Sequence, residues 1–183
     1  PLLGAPAAWA AAFSAIVARE LGVSDATIDT GLARVIPADH RLVASEHPTR
    51  PLLILDDCYN SNPAACIAAL ETALALHQGR KELILVLGDM LELGDETEAA
   101  HREVGEQAAK LTADLAADTR IITVGPLSRT IAAEIRDRGL SVMEASDTEE
   151  ARRLLLPLLG KATSTTMLLK ASRGIGLEAL LNI

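Results

Sequence analysis

Apolar positions change their rhythm along the chain near Pro37. Before it, small and apolar residues recur at helical spacing through PLLGAPAAWAAAFSAIVARELG, which predicts a helix over residues 5–22 ended by Gly22. Ser24 is a suitable N-cap for a second helix to about Arg34, with Ile28, Leu32 and Val35 on its apolar face. The stretch IPADHRLVASEHPTRP then brings three prolines and scattered charge. It marks a boundary, dividing the chain into residues 1–37 and 38–183. Within it Arg41–Ser45 is expected as a short edge strand, since its flanking prolines cannot donate to an inner ladder.

After Pro51, continuous apolar runs alternate with helical patterns. Leu52–Leu55, Glu82–Leu87, Arg120–Val124 and Thr165–Lys170 read as strands covered on both faces, with Leu140–Met143 as a weaker fifth run. Asn62 and Pro63 suit the cap and first turn of a helix to His77. Further helices are expected over Thr97–Leu111, Leu127–Arg138 and from the cap Asp147 to Leu159, with a short closing helix at Leu177–Leu181. Strands separated by helices of this length predict an α/β fold with a mostly parallel sheet flanked by helices and preceded by a short helical segment. In such sheets ligands bind at the carboxyl ends of the strands.

Three strands end in polar clusters: Asp56-Asp57-Cys58-Tyr59-Asn60-Ser61-Asn62, Gly88-Asp89-Met90 and Lys170-Ala171-Ser172-Arg173-Gly174. Each alone reads as turn chemistry or a capped strand end. A parallel sheet places all three on one edge, and that convergence points to a binding edge.

Composition narrows the choices. A net charge of −8 argues against a nucleic-acid partner, which needs a basic patch. No run reads as a membrane span. Aromatics are only Trp9, Phe13 and Tyr59, so the core is aliphatic and a tyrosine in a polar loop is notable. Two cysteines, Cys58 and Cys66, are too few for a disulfide framework or a structural zinc site and fit a reduced, cytoplasmic setting. Cys58 beside two carboxylates is a poor nucleophile. His101 reads as a surface or internally satisfied histidine, and no spacing suggests a metal site. Neither GxxxxGK[ST] nor GxGxxG is present.

DDCYNSNP, LGDMLELG, HREVG, VG and LLKASRGIGLE, in this order, resemble the C-terminal domain of the Mur ligase family over about Pro37–Ile183. The segment before it is similar to the last helices of that family's central ATPase domain. The resemblance implies a Rossmann-like domain and a share in an ATP-dependent ligase. That ligase adds D-Ala-D-Ala to UDP-MurNAc-tripeptide through an acyl phosphate, with ATP and Mg2+ used by the full-length enzyme. The phosphate loop and metal ligands would lie on the central domain. This fragment would therefore hold no catalytic residue, no metal and no bound cofactor of its own, and alone would be inactive.

Carried over by motif, Arg41 matches a hinge arginine that reaches toward the ATP phosphates, and Asp57 matches a carboxylate near the ribose. Tyr59, Asn60 and Asn62 fall near the adenine. Asp89, Lys170, Ser172 and Arg173 fall on the D-Ala-D-Ala side. Where Ala171 stands the family usually has glycine, which implies strain or a narrowed site if that position needs φ > 0. Two other readings stay open. One is a Mur-like interaction module without catalysis. The other is a phospho-acceptor receiver domain with Asp89 as acceptor. The N-terminal helices, apolar and without a parent sheet, are expected to fold back on the rest or to self-associate.

Overall fold

The computed structural model describes residues 2–115, 118–160 and 164–183. Helix α1 (Gly4–Glu20) and helix α2 (Asp25–Ala33) lead into strand β1 (Val43–Glu46) and strand β2 (Leu52–Asp57). Helix α3 (Pro63–His77), strand β3 (Glu82–Gly88), helix α4 (Thr97–Thr112) and strand β4 (Thr119–Val124) follow. Helix α5 (Arg129–Asp137), strand β5 (Met143–Ala145), helix α6 (Thr148–Leu159) and strand β6 (Thr165–Lys170) complete the sheet, and a 3-10 helix spans Leu177–Asn182.

The sheet runs β1-β2-β6-β3-β4-β5. β1 pairs antiparallel with β2, and every other pairing is parallel. The expected edge strand is therefore real, but it starts two residues later and ends one later, so that Arg41 lies before it. The weak strand also moved, from 140–143 to 143–145. It is a three-pair edge on β4, while Leu140 and Val142 turn inward onto the core.

Alternation along the strands splits the core into two layers. Leu55, Leu83, Leu85, Leu87 and Leu168 face α3, α4 and α5. Leu52, Ile54, Ile84, Val86, Met167 and Leu169 face α6 and the closing 3-10 helix. Helix α3 meets the first layer through Cys66, Ala69, Leu70 and Ala73, one face at helical spacing. The caps fall where the sequence puts them. Ser24, Asn62 and Asp147 accept the backbone N–H of Thr27, Ala65 and Glu150, each worth about 1 kcal/mol.

Helix α1 buries none of its residues. It folds back on the sheet domain at its start, where Leu3 joins the first layer and Gly4 sits against Thr72. Trp9 and Phe13 pack on each other at 6.1 Å and stay exposed.

Candidate functional site

The register fixes the polar edge. Asp57 on β2 and Leu87 on β3 are both level with Lys170 on β6, so the three clusters meet side by side in the middle of the sheet. The convergence expected from the sequence is thus present, but its members divide into open and closed groups.

The open group surrounds the tip of β2. Tyr59 is half exposed, and the Arg41 guanidinium lies 4.1 Å from its ring centre. Arg173, from the loop after β6, reaches the same ring at 5.6 Å. A cation over a tyrosine face at such distances is attracted by the ring quadrupole. Beside them is a cleft of about 240 Å³ lined by Arg41, Asp57, Tyr59, Asn60, Asn62 and the first turn of α1. Pockets that enclose a whole small ligand run to roughly 300–1,000 Å³, so this is the size of one wall of a shared site. Asn62 spends its side-chain oxygen on the α3 cap, and Asn60 spends its own on the Ser61 N–H. The amide N–H groups of both remain to face the cleft. An aromatic face, a carboxylate and two amides fit a nucleoside, and the Arg41 guanidinium fits the phosphates attached to it.

The closed group is structural. Lys170 is almost fully buried. Its ammonium meets the Asp57 carboxylate at 3.1 Å and donates to the carbonyls of Asp57 and Asn60. Lys170, expected on the dipeptide side, is here engaged by Asp57 and Asn60. The cation is consumed in bracing the β2–α3 loop, because a buried ammonium must be paired where it stands.

Asp89 is also buried. It accepts the Ser128 N–H at 2.7 Å, and its carbonyl accepts the Ser172 N–H at 3.0 Å. Ser172, buried too, accepts the Leu91 N–H at 2.9 Å. These two stitch β3, the turn after β4 and the tip of β6 together, and neither presents an open polar atom to an incoming dipeptide. A phospho-acceptor at Asp89 is excluded on the same ground. Of the four residues expected on that side, Arg173 is the exposed one, and it points to Tyr59.

Ala171 does not strain the edge. It is absent from the left-handed residues, and it is fully buried in the second core layer. A Cβ added to Gly88 would stand 2.7 Å from the Ala171 Cβ, so the glycine that the contact requires is at 88, across the ladder.

His101 is fully buried and satisfied. Its Nε2 accepts the Met90 N–H at 3.0 Å, and its Nδ1 donates to the Thr97 carbonyl at 2.6 Å. The HREVG helix thereby holds the LGDMLELG loop. Burial and the Asp56 charge push the Cys58 thiol well above the ordinary range, in keeping with an inert cysteine. Among the described residues no group of His, Cys, Asp and Glu is arranged to hold a metal ion.

The turn before β1 carried no sequence signal. His40 and Leu42 both adopt φ near +55° (58° and 52°), which for non-glycine residues costs about 1–2 kcal/mol each. Only glycine or asparagine would have advertised such a turn.

A mostly parallel sheet with one antiparallel edge strand carries the cleft at the carboxyl ends of its central strands, the architecture of an α/β domain that binds at its strand tips. Residues 40–173 match the family model described as Mur ligase, glutamate ligase domain, and the chain belongs to that family. It is 34% identical over 165 residues to the UDP-N-acetylmuramoyl-tripeptide–D-alanyl-D-alanine ligase of Escherichia coli (strain K12), covering 90% of this chain and 34% of that protein. A crystal structure of MurF from Acinetobacter baumannii superposes with a TM-score of 0.78 at 28% identity, over 94% of this chain and 35% of that one. MurF ligase from Thermotoga maritima in complex with ADP superposes at 0.68, with 26% identity, over 91% and 35%. The chain spans about a third of the length of the curated relatives it matches.

Proposed function

We propose that this chain is the C-terminal part of an ATP-dependent ligase that joins D-Ala-D-Ala to UDP-MurNAc-tripeptide in cytoplasmic peptidoglycan precursor synthesis. The observation that carries the reading is the junction of Arg41, Asp57, Tyr59, Asn60 and Asn62 around one half-cleft, in a chain similar to such ligases over nine-tenths of its length. ATP supplies the phosphoryl group that activates the tripeptide carboxylate. Magnesium and the phosphate-gripping loop belong to the remainder of the enzyme.

In this reading the chain's residues bind and orient. Tyr59 offers a face to the base, and the amides of Asn60 and Asn62 offer donors to its edge. Asp57 faces the ribose while Lys170 holds it in place. Arg41 leaves Tyr59 when the base arrives and turns to the phosphates, where its fork matches their oxygens. Arg173, on the side of the incoming dipeptide, is the exposed cation left to meet its carboxylate. Asp89 and Ser172 shape that side from beneath.

The test is a ligase assay on the full-length reading frame with UDP-MurNAc-tripeptide, D-Ala-D-Ala, ATP and magnesium. Asp57 is a poor probe, since its loss leaves Lys170 buried without its charge partner. Tyr59→Ala is cleaner because the ring is half exposed. Base stacking is worth about 1–3 kcal/mol, so KM for ATP should rise about ten-fold or more with kcat little changed. An unchanged KM removes Tyr59 from the nucleotide site. Absence of dipeptide-dependent phosphate release in the wild type leaves the interaction-module reading in its place.

A further inference from the structure

Arg41 sits between two left-handed residues, and two adjacent carboxylates of β2 both reach across to that turn. Asp56 Oδ2 accepts the His40 Nδ1–H at 2.7 Å, while Asp56 Oδ1 accepts the Cys58 N–H at 3.3 Å. Asp57 Oδ1 accepts the Leu42 N–H at 3.1 Å, while Asp57 Oδ2 meets Lys170 at 3.1 Å. Each carboxylate thus has one oxygen on the turn and one on the strand tip or its brace. The Tyr59 N–H closes the loop by donating to the His40 carbonyl at 3.0 Å. The turn and the tyrosine it serves are one bonded unit.

We propose that His40 is a positioning residue whose ring, bonded to Asp56, holds the left-handed turn that lays Arg41 over Tyr59. A non-glycine residue left to itself relaxes out of the left-handed region. Asp57 secures the far side of the turn through a backbone donor that any residue at 42 except proline would supply. The near side is secured by the imidazole. The His40 side chain is 33% exposed and that of Asp56 10%, so the bond is shielded from full solvent competition. The consequence for nucleotide binding rests on the reading of Arg41 and Tyr59 given above.

Tyr59 is the single tyrosine of the chain, so fluorotyrosine labelling gives one 19F resonance that reports what covers its ring. Arg41→Ala marks the resonance of the ring without its Arg41 partner. His40→Ala removes the imidazole and keeps a Cβ, so residue 40 is free to relax out of the left-handed region. Asp56→Ala removes the other partner and leaves residue 40 intact. Both should move the resonance at least half of the way from wild type toward Arg41→Ala. In the full-length reading frame both should weaken ADP binding, measured calorimetrically, by about three- to ten-fold, the worth of one hydrogen bond. A wild-type resonance in both variants overturns the proposal. Full-length wild type that binds no ADP counts against the nucleotide site, and the resonance still decides the role of His40.

Discussion

Two buried residues show how place sets chemistry. Cys66 lies wholly inside the first core layer, and burial pushes its thiol up to about 12 from an ordinary 9.0. The sign follows from proton counting. The folded state keeps the proton between those values and the unfolded chain loses it. The stability this contributes is complete below pH 9 and is lost as pH rises toward 12, by up to about 1.4 kcal/mol per unit. Cys66→Ala should abolish that share. The stability difference between wild type and variant, from denaturant unfolding under reductant, should therefore shrink from pH 8 to pH 11. Parallel profiles would mean that the thiol is not desolvated as described. Lys170 makes the complementary case. Its residue type and strand-end place were legible in the sequence, but its partner was not. Asp57 and Asn60 lie more than a hundred positions away, and only the β2–β6 register brings them together. His40 was illegible for another reason, since a left-handed histidine leaves no mark in composition or spacing.

Among the elements, strands with long apolar runs and helices with a cap residue were placed correctly by pattern alone. The displaced ones are the two short edge strands, β1 and β5, and β5 has three ladder pairs and no pattern of its own beyond them. What pattern cannot give is the closeness of helix packing. Gly105 on α4 faces α5 so tightly that an added Cβ would stand 2.7 Å from the Glu134 Cβ and 2.9 Å from the Ile131 carbonyl oxygen. Alanine is ordinarily the better helix residue by about 1 kcal/mol. Here the contact is backbone on one side, so it cannot yield cheaply. Gly105→Ala should lower unfolding stability by about 1–3 kcal/mol. A stabilised variant would show that α4 and α5 are further apart than this.

At the scale of the molecule, the sheet and the helices packed on its two faces form one body, to which residues 1–37 add little. Helix α1 buries nothing, and α2 buries Ile28 alone. A chain of residues 38–183 should therefore fold cooperatively, with a thermal midpoint lower by about 5 °C or less. Loss of the transition would place the boundary elsewhere. The strand order has a consequence for how the chain comes into being. β6, the last strand in sequence, lies between β2 and β3, so each of them is born with an unpaired edge. On a ribosome emitting about 5–20 residues per second, those edges wait for more than 75 further residues to be added after β3. Until then the nascent chain holds two half-sheets with exposed ladders, the state in which a chaperone or an aggregate would meet it.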